Sequence, residues 1–263
     1  MTFDLVVATL GRVDELGQLL DSLERQTHRE FRVLVVDQNE DDRLDAVLSA
    51  HPELALERLG APTGLSRARN EALPHLRAEV VAFPDDDCTF PDNLLERVAG
   101  RLAADPHLDG VTGRAPDSPS WKHDAARLTR ENLWNRAISF TIFLRRAVVD
   151  RVGTFDEALG LPSSSGEEID YLIRALVAGA RIEYDPTLIV MHPEKERDPA
   201  AMGAREGTSM GYILRKHRYP ALTVARMLIR PAGGALVALL RNDRRRARFH
   251  AATLRGRLAG YRW

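Results

Sequence analysis

The sequence of 263 residues contains one cysteine, Cys88, and no apolar run long enough to cross a membrane. A single cysteine excludes an internal disulfide framework and any cysteine-rich zinc or iron–sulfur site, and it suits a reducing compartment. The longest apolar run, at 231–240, is about half the length that a transmembrane helix needs. No basic-then-apolar leader opens the sequence, so a cleaved secretion signal is not expected. These absences favour a cytoplasmic protein that could touch the inner face of a membrane without spanning it.

Charge is unevenly distributed along the chain, although the net charge is only −1. Residues 215–263 hold thirteen Lys or Arg and one acidic residue, Asp243, whereas the residues before them hold 24 basic and 37 acidic side chains. A basic segment on an acidic body attracts phosphate groups, on nucleic acid or on an anionic membrane. Few aromatic residues accompany the basic ones, which makes nucleic-acid binding unexpected.

Apolar periodicity alternates between short strands and amphipathic helices. Strands are predicted at 3–9, 31–37, 54–59, 78–83 and 137–144. Helices are predicted after Gly11, at 66–73, from Pro91, at 146–151, at 167–178 and over most of 199–263 with interruptions at Pro220 and Pro231. This alternation predicts an α/β fold with a mainly parallel central sheet flanked by helices. The segments 114–135 and 161–166 are predicted loops.

Three carboxylates, Asp85, Asp86 and Asp87, directly follow the predicted strand AEVVAF. Three adjacent carboxylates repel one another unless a cation neutralises them, and oxygen ligands suit Mg²⁺ or Mn²⁺. Asp37 also ends a predicted strand, and ligands of parallel sheets bind beyond the carboxyl ends of the strands. The alternative is a solvated turn whose acids favour the start of the next helix.

A second acidic motif, Gly-Glu-Glu-Ile-Asp at 166–170, opens the predicted helix at 167–178. One of its carboxylates could serve as a general base, since the preceding glycine- and serine-rich loop delivers it to a substrate. The alternative is a charge cluster that complements the helix dipole. Two weaker features are GLSRARN at 64–70, a helix start with two arginines suited to phosphate, and His192, which follows an apolar run.

In this order the motifs resemble those of family 2 glycosyltransferases, the inverting nucleotide-sugar transferases of the GT-A fold. The matching segments are VVATLGRVDELGQLLDSLERQT at 6–27, VLVVDQNEDD at 33–42, GLSRARNEAL at 64–73, VVAFPDDDCTFPDNLLE at 80–96, GTFDEAL at 153–159, GEEIDYLIRALVAG at 166–179 and YDPTLIVMH at 184–192. The resemblance covers about residues 2–193, and the ordered set is far more specific than any single motif. It implies a Rossmann-like GT-A domain at 1–198 and leaves a basic helical extension at 199–263.

The resemblance also implies roles for individual residues. The nucleotide-sugar donor would contact Thr9, Asp37, Arg69, Asp85 and Asp86. Asp87 and His192 would hold Mn²⁺ or Mg²⁺. The family's base is the second acid of a Gly-Glu-Asp motif, which corresponds to Glu168; glutamate departs from the family pattern there, so Glu167 and Asp170 are alternatives.

The chemistry expected of such a transferase needs two parts. The departing nucleoside diphosphate needs a cation clamp, and the acceptor hydroxyl must lose its proton to a carboxylate. One base and one in-line attack invert the anomeric centre. The acceptor would be a glycan or a lipid-linked glycan, as in envelope polysaccharide assembly, and residues 215–263 would contact an anionic membrane.

Other function classes remain as alternatives. Asp85 to Thr89 also fits the D-x-D-x-T signature of haloacid-dehalogenase-like phosphatases, although the chain has only three lysines to supply the lysine they need. A non-catalytic relative that binds sugar nucleotides would keep the metal site and lose the base. A nicotinamide dehydrogenase is disfavoured because no G-x-G-x-x-G follows the first strand.

Overall fold

The computed structural model describes residues 1–116, 121–160, 165–193 and 198–262. Its described part contains one eight-stranded sheet. The strands are β1 (Phe3–Thr9), β2 (Phe31–Asp37), β3 (Leu56–Gly60), β4 (Val80–Ala82), β5 (Gly110–Arg114), β6 (Ala126–Arg127), β7 (Phe143–Arg145) and β8 (Ile182–Ile189). Of the predicted loops, residues 117–120 and 161–164 lie outside the described residues.

The sheet has the order β3-β2-β1-β4-β7-β5-β8-β6. Strands β3, β2, β1 and β4 are mutually parallel, and β5 is parallel to β8. The short strands β7 and β6 pair in the antiparallel sense. The predicted mainly parallel sheet is therefore confirmed, and β7 and β6 are the antiparallel additions to it.

Nine α-helices accompany this sheet in the described residues. They are α1 (Val13–Glu24), α2 (Asp45–Ser49), α3 (Leu65–Ala72), α4 (Leu94–Ala104), α5 (Arg146–Val152), α6 (Glu167–Val177), α7 (Pro199–Lys216), α8 (Ala221–Leu240) and α9 (Arg244–Arg262). The predicted helices before residue 199 are confirmed to within a few residues at each end. For example, α1 buries the predicted row Leu16, Leu19, Leu20 and Leu23.

The core lies against β1, whose seven residues are all buried. The predicted strands at 3–9 and 31–37 coincide with β1 and β2 because both are continuous apolar runs, as buried parallel strands are. The predicted strand at 137–144 is wrong. Residues Ser139–Thr141 form a 3-10 turn, and only Phe143–Arg145 pair with the sheet as β7. Apolar residues there are buried without strand geometry, so hydrophobicity alone misleads.

The contacts divide the chain into two compact units. The first unit comprises Met1–Phe155 and Tyr171–Pro193 and carries the whole sheet. The second unit comprises Asp156–Asp170 and Glu194–Trp263 and carries α7, α8 and α9. A domain boundary between 198 and 199 stays a prediction. The second unit additionally includes Asp156–Asp170, which no sequence pattern separates from the first unit.

Helices α7 and α9 of the second unit approach each other closely through glycine. A Cβ atom on Gly260 of α9 would lie 1.9 Å from the carbonyl oxygen of Thr208, and one on Gly207 of α7 would lie 2.5 Å from that of Thr253. No side chain fits at either position. The four-residue repeat Gly203, Gly207 and Gly211 was a visible sign of this contact.

Helix α8 continues through Pro231, so the predicted interruption at this residue is wrong. Proline lacks the N–H that would bond the carbonyl four residues earlier, which is that of Met227. The guanidinium Nη1 of Arg257, on α9, donates a hydrogen bond to this carbonyl instead. The arginine side chain thus replaces the missing backbone donor. Among the described residues α8 is the one helix that is long and apolar enough to cross a membrane, and only 17% of its most apolar stretch is buried. The expectation that no segment is long enough is therefore wrong by length and composition, because it counted only the unbroken run at 231–240 and not the helix that continues before Pro231.

Candidate functional site

Several polar side chains of the first unit meet at the carboxyl ends of neighbouring strands. Thr9 and Asp37, the last residues of β1 and β2, are direct partners across the parallel pair. Beyond β4 the chain continues beside β1, where Asp85 forms a bridge with Ala8. The sheet therefore brings the ends of three segments side by side, as ligand sites in parallel sheets require.

Asp37 is held rigidly at this edge. Its Oδ2 accepts hydrogen bonds from Nε and Nη2 of Arg58 at 2.9 and 2.6 Å. Its Oδ1 accepts from the backbone and side-chain nitrogens of Asn39 at 2.8 and 2.7 Å. A two-pronged arginine contact fixes the orientation of a carboxylate as well as its charge.

Asp85 contacts two side chains from separate segments. Nη2 of Arg69 lies 3.3 Å from its Oδ1, and the hydroxyl of Ser139 donates to the same oxygen at 3.0 Å. Arg69 is 1% exposed, and its guanidinium lies over the rings of Phe83 and Phe155. The cation beside Asp85 is thus fixed by packing, while the Asp85 side chain remains 25% exposed.

Asp86 faces a different cation. Nη1 of Arg12 lies 2.5 Å from Asp86 Oδ1 and 2.9 Å from Asp87 Oδ2, so one guanidinium bridges both carboxylates. Burial raises the pKa of Asp86, and Arg12 together with a hydrogen bond to Thr9 opposes that rise in part. Burial disfavours the charge on Arg12, but Asp86 and Asp87 outweigh it and raise the arginine pKa. Arg12 remains charged and fixes the acidic turn.

Asp87 and His192 are joined by a short antiparallel bridge. Thr89 and Met191 exchange backbone hydrogen bonds of 2.9 and 3.1 Å, which brings the next residue, His192, to the acidic turn. Nε2 of His192 lies 3.1 Å from Oδ1 of Asp87. The imidazole stacks on the ring of Phe140 with 4.8 Å between the centroids.

The donor set of this edge fits a divalent cation. Asp85, Asp87 and His192 each offer one ligand atom, and these atoms all lie within 4.8 Å of one another. Ligands at about 2.1 Å from an ion are separated by roughly 3–4 Å, so small side-chain adjustments suffice. Two carboxylates and one imidazole suit Mn²⁺ or Mg²⁺, and a substrate phosphate normally completes such a shell.

Cys88, in the middle of this turn, is an apolar packing residue. It is fully buried, and burial together with the carboxylates of Asp85 and Asp87 raises the pKa of its thiol well above the usual value. The thiol therefore stays protonated and unreactive.

The three candidate bases belong to the second unit. Glu167 and Asp170 are buried, with exposed fractions of 4% and 0%, whereas Glu168 is partly exposed. All three lie in the first turn of α6, directly after Gly166. Gly166 has φ +85°, a left-handed conformation, and a Cβ atom there would lie 3.0 Å from Ile213 Cδ1. Of the three, Glu168 has the side chain best exposed to a substrate.

Asp170 is held by two basic residues at the end of α7. Its Oδ1 lies 2.7 Å from Nζ of Lys216 and 2.8 Å from Nε2 of His217. Lys216 also contacts Asp156 at 2.6 Å, and Tyr212 donates its hydroxyl to Asp156 at 2.7 Å. Lys216 therefore joins the residues on either side of 157–169. This pairing makes Asp170 an anchor for the turn that carries Glu168.

The structure thus brings seven predicted residues to the acidic edge of the first unit, namely Thr9, Asp37, Arg69, Asp85, Asp86, Asp87 and His192. The other three, Glu167, Glu168 and Asp170, are in the second unit. Sequence reasoning missed Arg12, Arg58, Ser139 and Phe140, which hold the acidic side chains and the histidine. Arg12 follows the first strand by three residues and could have been suspected; the others come from distant segments.

Comparisons of the sequence with known proteins all point to glycosyltransferases. The model of the family described as glycosyl transferase family 2 matches residues 4–158. The chain is 28% identical over 254 residues to the pre-mycofactocin glycosyltransferase of Mycobacterium tuberculosis, covering 89% of this chain and 51% of that protein. It is 24% identical over 207 residues to the glycosyltransferase AglE of Haloferax volcanii, covering 73% of this chain and 66% of the relative. The chain spans about half the length of the mycobacterial relative.

Solved structures show the same fold. A mannosyltransferase of Pyrobaculum calidifontis, solved with GDP-Man and Mn²⁺, superposes with a TM-score of 0.72 at 19% identity, over 98% of this chain and 86% of that one. Residues 1–349 of TarS from S. aureus, solved with UDP-GlcNAc, give a TM-score of 0.65 at 19% identity, over 100% and 92%. The expected GT-A fold is therefore confirmed.

Proposed function

The chain belongs to glycosyl transferase family 2, and we propose that it is a metal-dependent, inverting hexosyltransferase that uses a nucleoside diphosphate sugar. The observation that carries the proposal is the group formed by Asp85, Asp87 and His192 beside the ends of β1 and β2. A carboxylate pair with an imidazole at that edge suits a cation that binds a diphosphate. Structural neighbours solved with GDP-Man and with UDP-GlcNAc support the donor class.

Each residue of the acidic edge has a task in this proposal. Asp87 and His192 hold the Mn²⁺ or Mg²⁺ ion, with Asp85 beside them. When bound, the ion neutralises charge that builds up on the departing diphosphate. Thr9 and Asp37 hold the nucleoside, and Arg58 keeps the Asp37 carboxylate in one orientation. Arg69 and Arg12 limit the repulsion among the three adjacent acids.

Asp86 takes a supporting part in the proposal. Its carboxylate is 6% exposed and ion-paired with Arg12, so it orients that arginine and the turn more readily than it contacts a donor. A direct contact between Asp86 and the nucleotide sugar would have to displace Arg12 first.

Glu168 is the base of choice. An acceptor hydroxyl has a pKa far above 7, so it must lose its proton as the new C–O bond forms. The Glu168 side chain is more accessible than those of Glu167 and Asp170. One base acting with one displacement inverts the anomeric carbon, and no second acid is required when a diphosphate leaves.

The finer parts of the proposal concern acceptor and location. We expect a hydroxyl of a glycan or of a lipid-linked glycan, in cytoplasmic assembly of an envelope polysaccharide. Residues 215–263 would then bring the enzyme to an anionic membrane surface. The basic charge of that segment supports such a location.

The alternatives fare differently. A haloacid-dehalogenase-like phosphatase is wrong, because the chain belongs to a different family. A non-catalytic relative that binds sugar nucleotides is still an alternative, since Glu168 departs from the family's aspartate.

The test is a calorimetric titration of the whole chain with GDP- and UDP-hexoses, in Mn²⁺ and in EDTA, followed by detection of released nucleoside diphosphate. We expect one donor to bind only with metal and to be slowly turned over. Glu168→Gln should keep donor binding and lose turnover, while the neighbouring Glu167→Gln serves as the matched control. NMR of the sugar product would show inversion as a changed anomeric configuration.

Three outcomes would redirect the proposal. Donor binding without turnover, in the wild type and with acceptor glycans present, would identify a non-catalytic relative. Loss of turnover in Glu167→Gln with full activity in Glu168→Gln would move the base by one residue. Metal-independent binding of the donor would remove the role given to Asp87 and His192.

A further inference from the structure

Exposed apolar side chains are concentrated in the second unit. Eleven large hydrophobic side chains are exposed among the described residues, and eight of these belong to α8 and α9: Leu222, Ile229, Leu236, Val237, Leu239, Leu240, Leu258 and Tyr261. The remaining three, Leu10, Val177 and Met191, are scattered over other elements. A cluster of this kind marks a surface that contacts a partner or a membrane.

The cluster follows one face of α8. Leu222, Ile229 and Leu236 recur every seven residues, which is nearly two helical turns, and Leu240 follows four residues later. Their exposed fractions are 63%, 68%, 59% and 79%. A helix of 20 residues is about 30 Å long, so the apolar face extends along the whole helix. We call this row, with Leu239, the α8 face.

Positive charge surrounds the α8 face. Arg226 and Arg230 are exposed on α8 itself, which contains no acidic residue. Exposed arginines also follow its end, at 241, 244, 245, 246 and 248. The one acid of this stretch, Asp243, pairs with Arg246 at 3.5 Å. Arg226, at the i+4 position from Leu222, lies within the apolar row, and the other arginines flank the row and follow its end.

A cavity of about 240 Å³ opens between the second half of α8 and the start of α9. Arg241, Arg246 and His250 line it beside Val237, together with Asp243, the ion-pair partner of Arg246. Gly234 leaves room there, because a Cβ atom would lie 2.8 Å from the His250 ring. Cationic groups next to apolar residues suit a phosphate that is attached to an apolar chain.

We propose that the α8 face docks on the surface of an anionic phospholipid bilayer, with its leucines among the acyl chains and the arginines on the lipid phosphates. The inference rests on the proposed function in one respect, because docking would give the enzyme access to a lipid-linked acceptor. The observations that support docking do not depend on which sugar donor is used. A second copy of the chain fits poorly, because a self-contact would bring the same arginines face to face. A spanning orientation would bury Arg226 and Arg230 in hydrocarbon, which is strongly unfavourable.

The structure divides the segment expected to touch the membrane between two helices. The sequence predicts one amphipathic helix, in which Arg244, Arg245, Arg246 and Arg248 are flanked by leucines at 239, 240, 254 and 258. Helix α9 instead turns part of its surface toward α7, where Gly256 and Gly260 approach α7 backbone atoms. Helix α8 supplies the apolar face and α9 supplies charge.

The test is flotation of the intact chain with vesicles of phosphatidylcholine alone or with roughly one-third phosphatidylglycerol. We expect binding to the anionic vesicles only, falling as salt is raised, and release by alkaline carbonate. Leu236→Glu combined with Leu240→Glu should weaken binding at least about 10-fold. Val177→Glu, a comparably exposed position outside the α8 face, should bind as the wild type does. The double variant Arg244→Gln with Arg245→Gln should weaken vesicle binding. The matched control, Arg25→Gln with Arg29→Gln at exposed positions of the first unit, should not.

Donor titration in solution is measured on the same variants and should be unchanged. This separates the inference from the proposed function, because a protein that binds vesicles but no donor would overturn only the latter. The inference fails if anionic vesicles are not bound at low salt, or if Val177→Glu weakens binding as much as the leucine pair. Vesicle binding that resists alkaline carbonate would show a spanning helix and would overturn the inference. A dimer in vesicle-free solution that Leu236→Glu dissociates would show that the α8 face is a self-interface and would also overturn it.

Discussion

The two edges of the sheet treat buried carboxylates in opposite ways. At the amino edge, Asp4 of β1 is fully buried and accepts hydrogen bonds from Arg32 at 2.6 and 3.2 Å and from two backbone N–H groups, those of Arg77 and Ala78. Arg32 in turn pairs with Glu57 at 2.8 Å. Both carboxylate oxygens of Asp4 therefore have hydrogen-bond donors within the protein.

At the carboxyl edge, Asp85 and Asp87 are also paired with arginines, Arg69 and Arg12, but their carboxylates in addition converge with His192. Asp85 is still 25% exposed and His192 is 23% exposed. Asp4 and Asp87 are both buried and ion-paired, so burial alone does not identify a site. The two edges differ in where the side-chain atoms point. Metal-ligating atoms that converge on one accessible point suit a bound ion, whereas a carboxylate enclosed by N–H groups stabilises the fold.

The largest effect is expected at the amino edge, for Asp4→Asn. Removing the buried carboxylate leaves Arg32 with Glu57 as its one remaining ion-pair partner among the described residues, and it costs about 3 kcal/mol of unfolding free energy. Urea denaturation measures this loss, and the exposed Asp42→Asn serves as the control. Metal-dependent donor binding by the folded variant should stay at the wild-type level; a variant that folds well but no longer binds donor would contradict the structural role.

Asp87→Asn should give the opposite pattern. Donor affinity in Mn²⁺ should fall by roughly 100-fold, since one ligand of the proposed ion is lost. Stability should fall less than in Asp4→Asn, because removing a charge also relieves repulsion with Asp85 and Asp86. Calorimetry and urea denaturation of the same preparation give both numbers. If stability collapsed while donor binding persisted, the two edges would not differ in the way described.

Sequence reasoning predicted the acidic edge well because its residues lie at strand ends that continuous apolar runs make visible. Asp37 and the triplet at 85–87 follow such runs directly. It did not predict what holds these residues. Ser139 comes from a segment predicted as a strand, and Arg58 comes from β3, so both partnerships depend on sheet order that local patterns do not contain. The structural role of Asp4 could not be predicted either, since its partner Arg32 lies on a neighbouring strand.

The arginines of the second unit also differ in role: Arg257 stabilises the fold, whereas most of the others are exposed. Arg257 donates to the Met227 carbonyl that Pro231 leaves without its helical partner. Arg257→Met should cost about 1–2 kcal/mol of unfolding free energy, because a partly buried carbonyl loses its donor. In a Pro231→Ala background the helix supplies an N–H again, so the same substitution should cost clearly less. Equal costs in both backgrounds, measured as a double-mutant cycle, would mean that Arg257 acts through packing alone.

The smallest effect concerns acid sensitivity at the anchor of α6. Burial acts to raise the pKa of Asp156, but hydrogen bonds from Lys216 and Tyr212 outweigh it and hold the pKa below the usual 3.8. The folded state therefore binds this proton less readily than the unfolded state, so the stabilisation exists above pH 3.8 and disappears as the pH falls through the folded pKa. The difference in unfolding free energy between the wild type and Asp156→Asn should be about 1 kcal/mol or less at pH 7, because the pair is partly exposed, and it should shrink on acidification. The control Asp42→Asn should show no such trend. A difference that stays constant down to pH 3 would mean that Asp156 contributes through shape and hydrogen bonding, and that its charge, like those of the exposed arginines, does little for the fold.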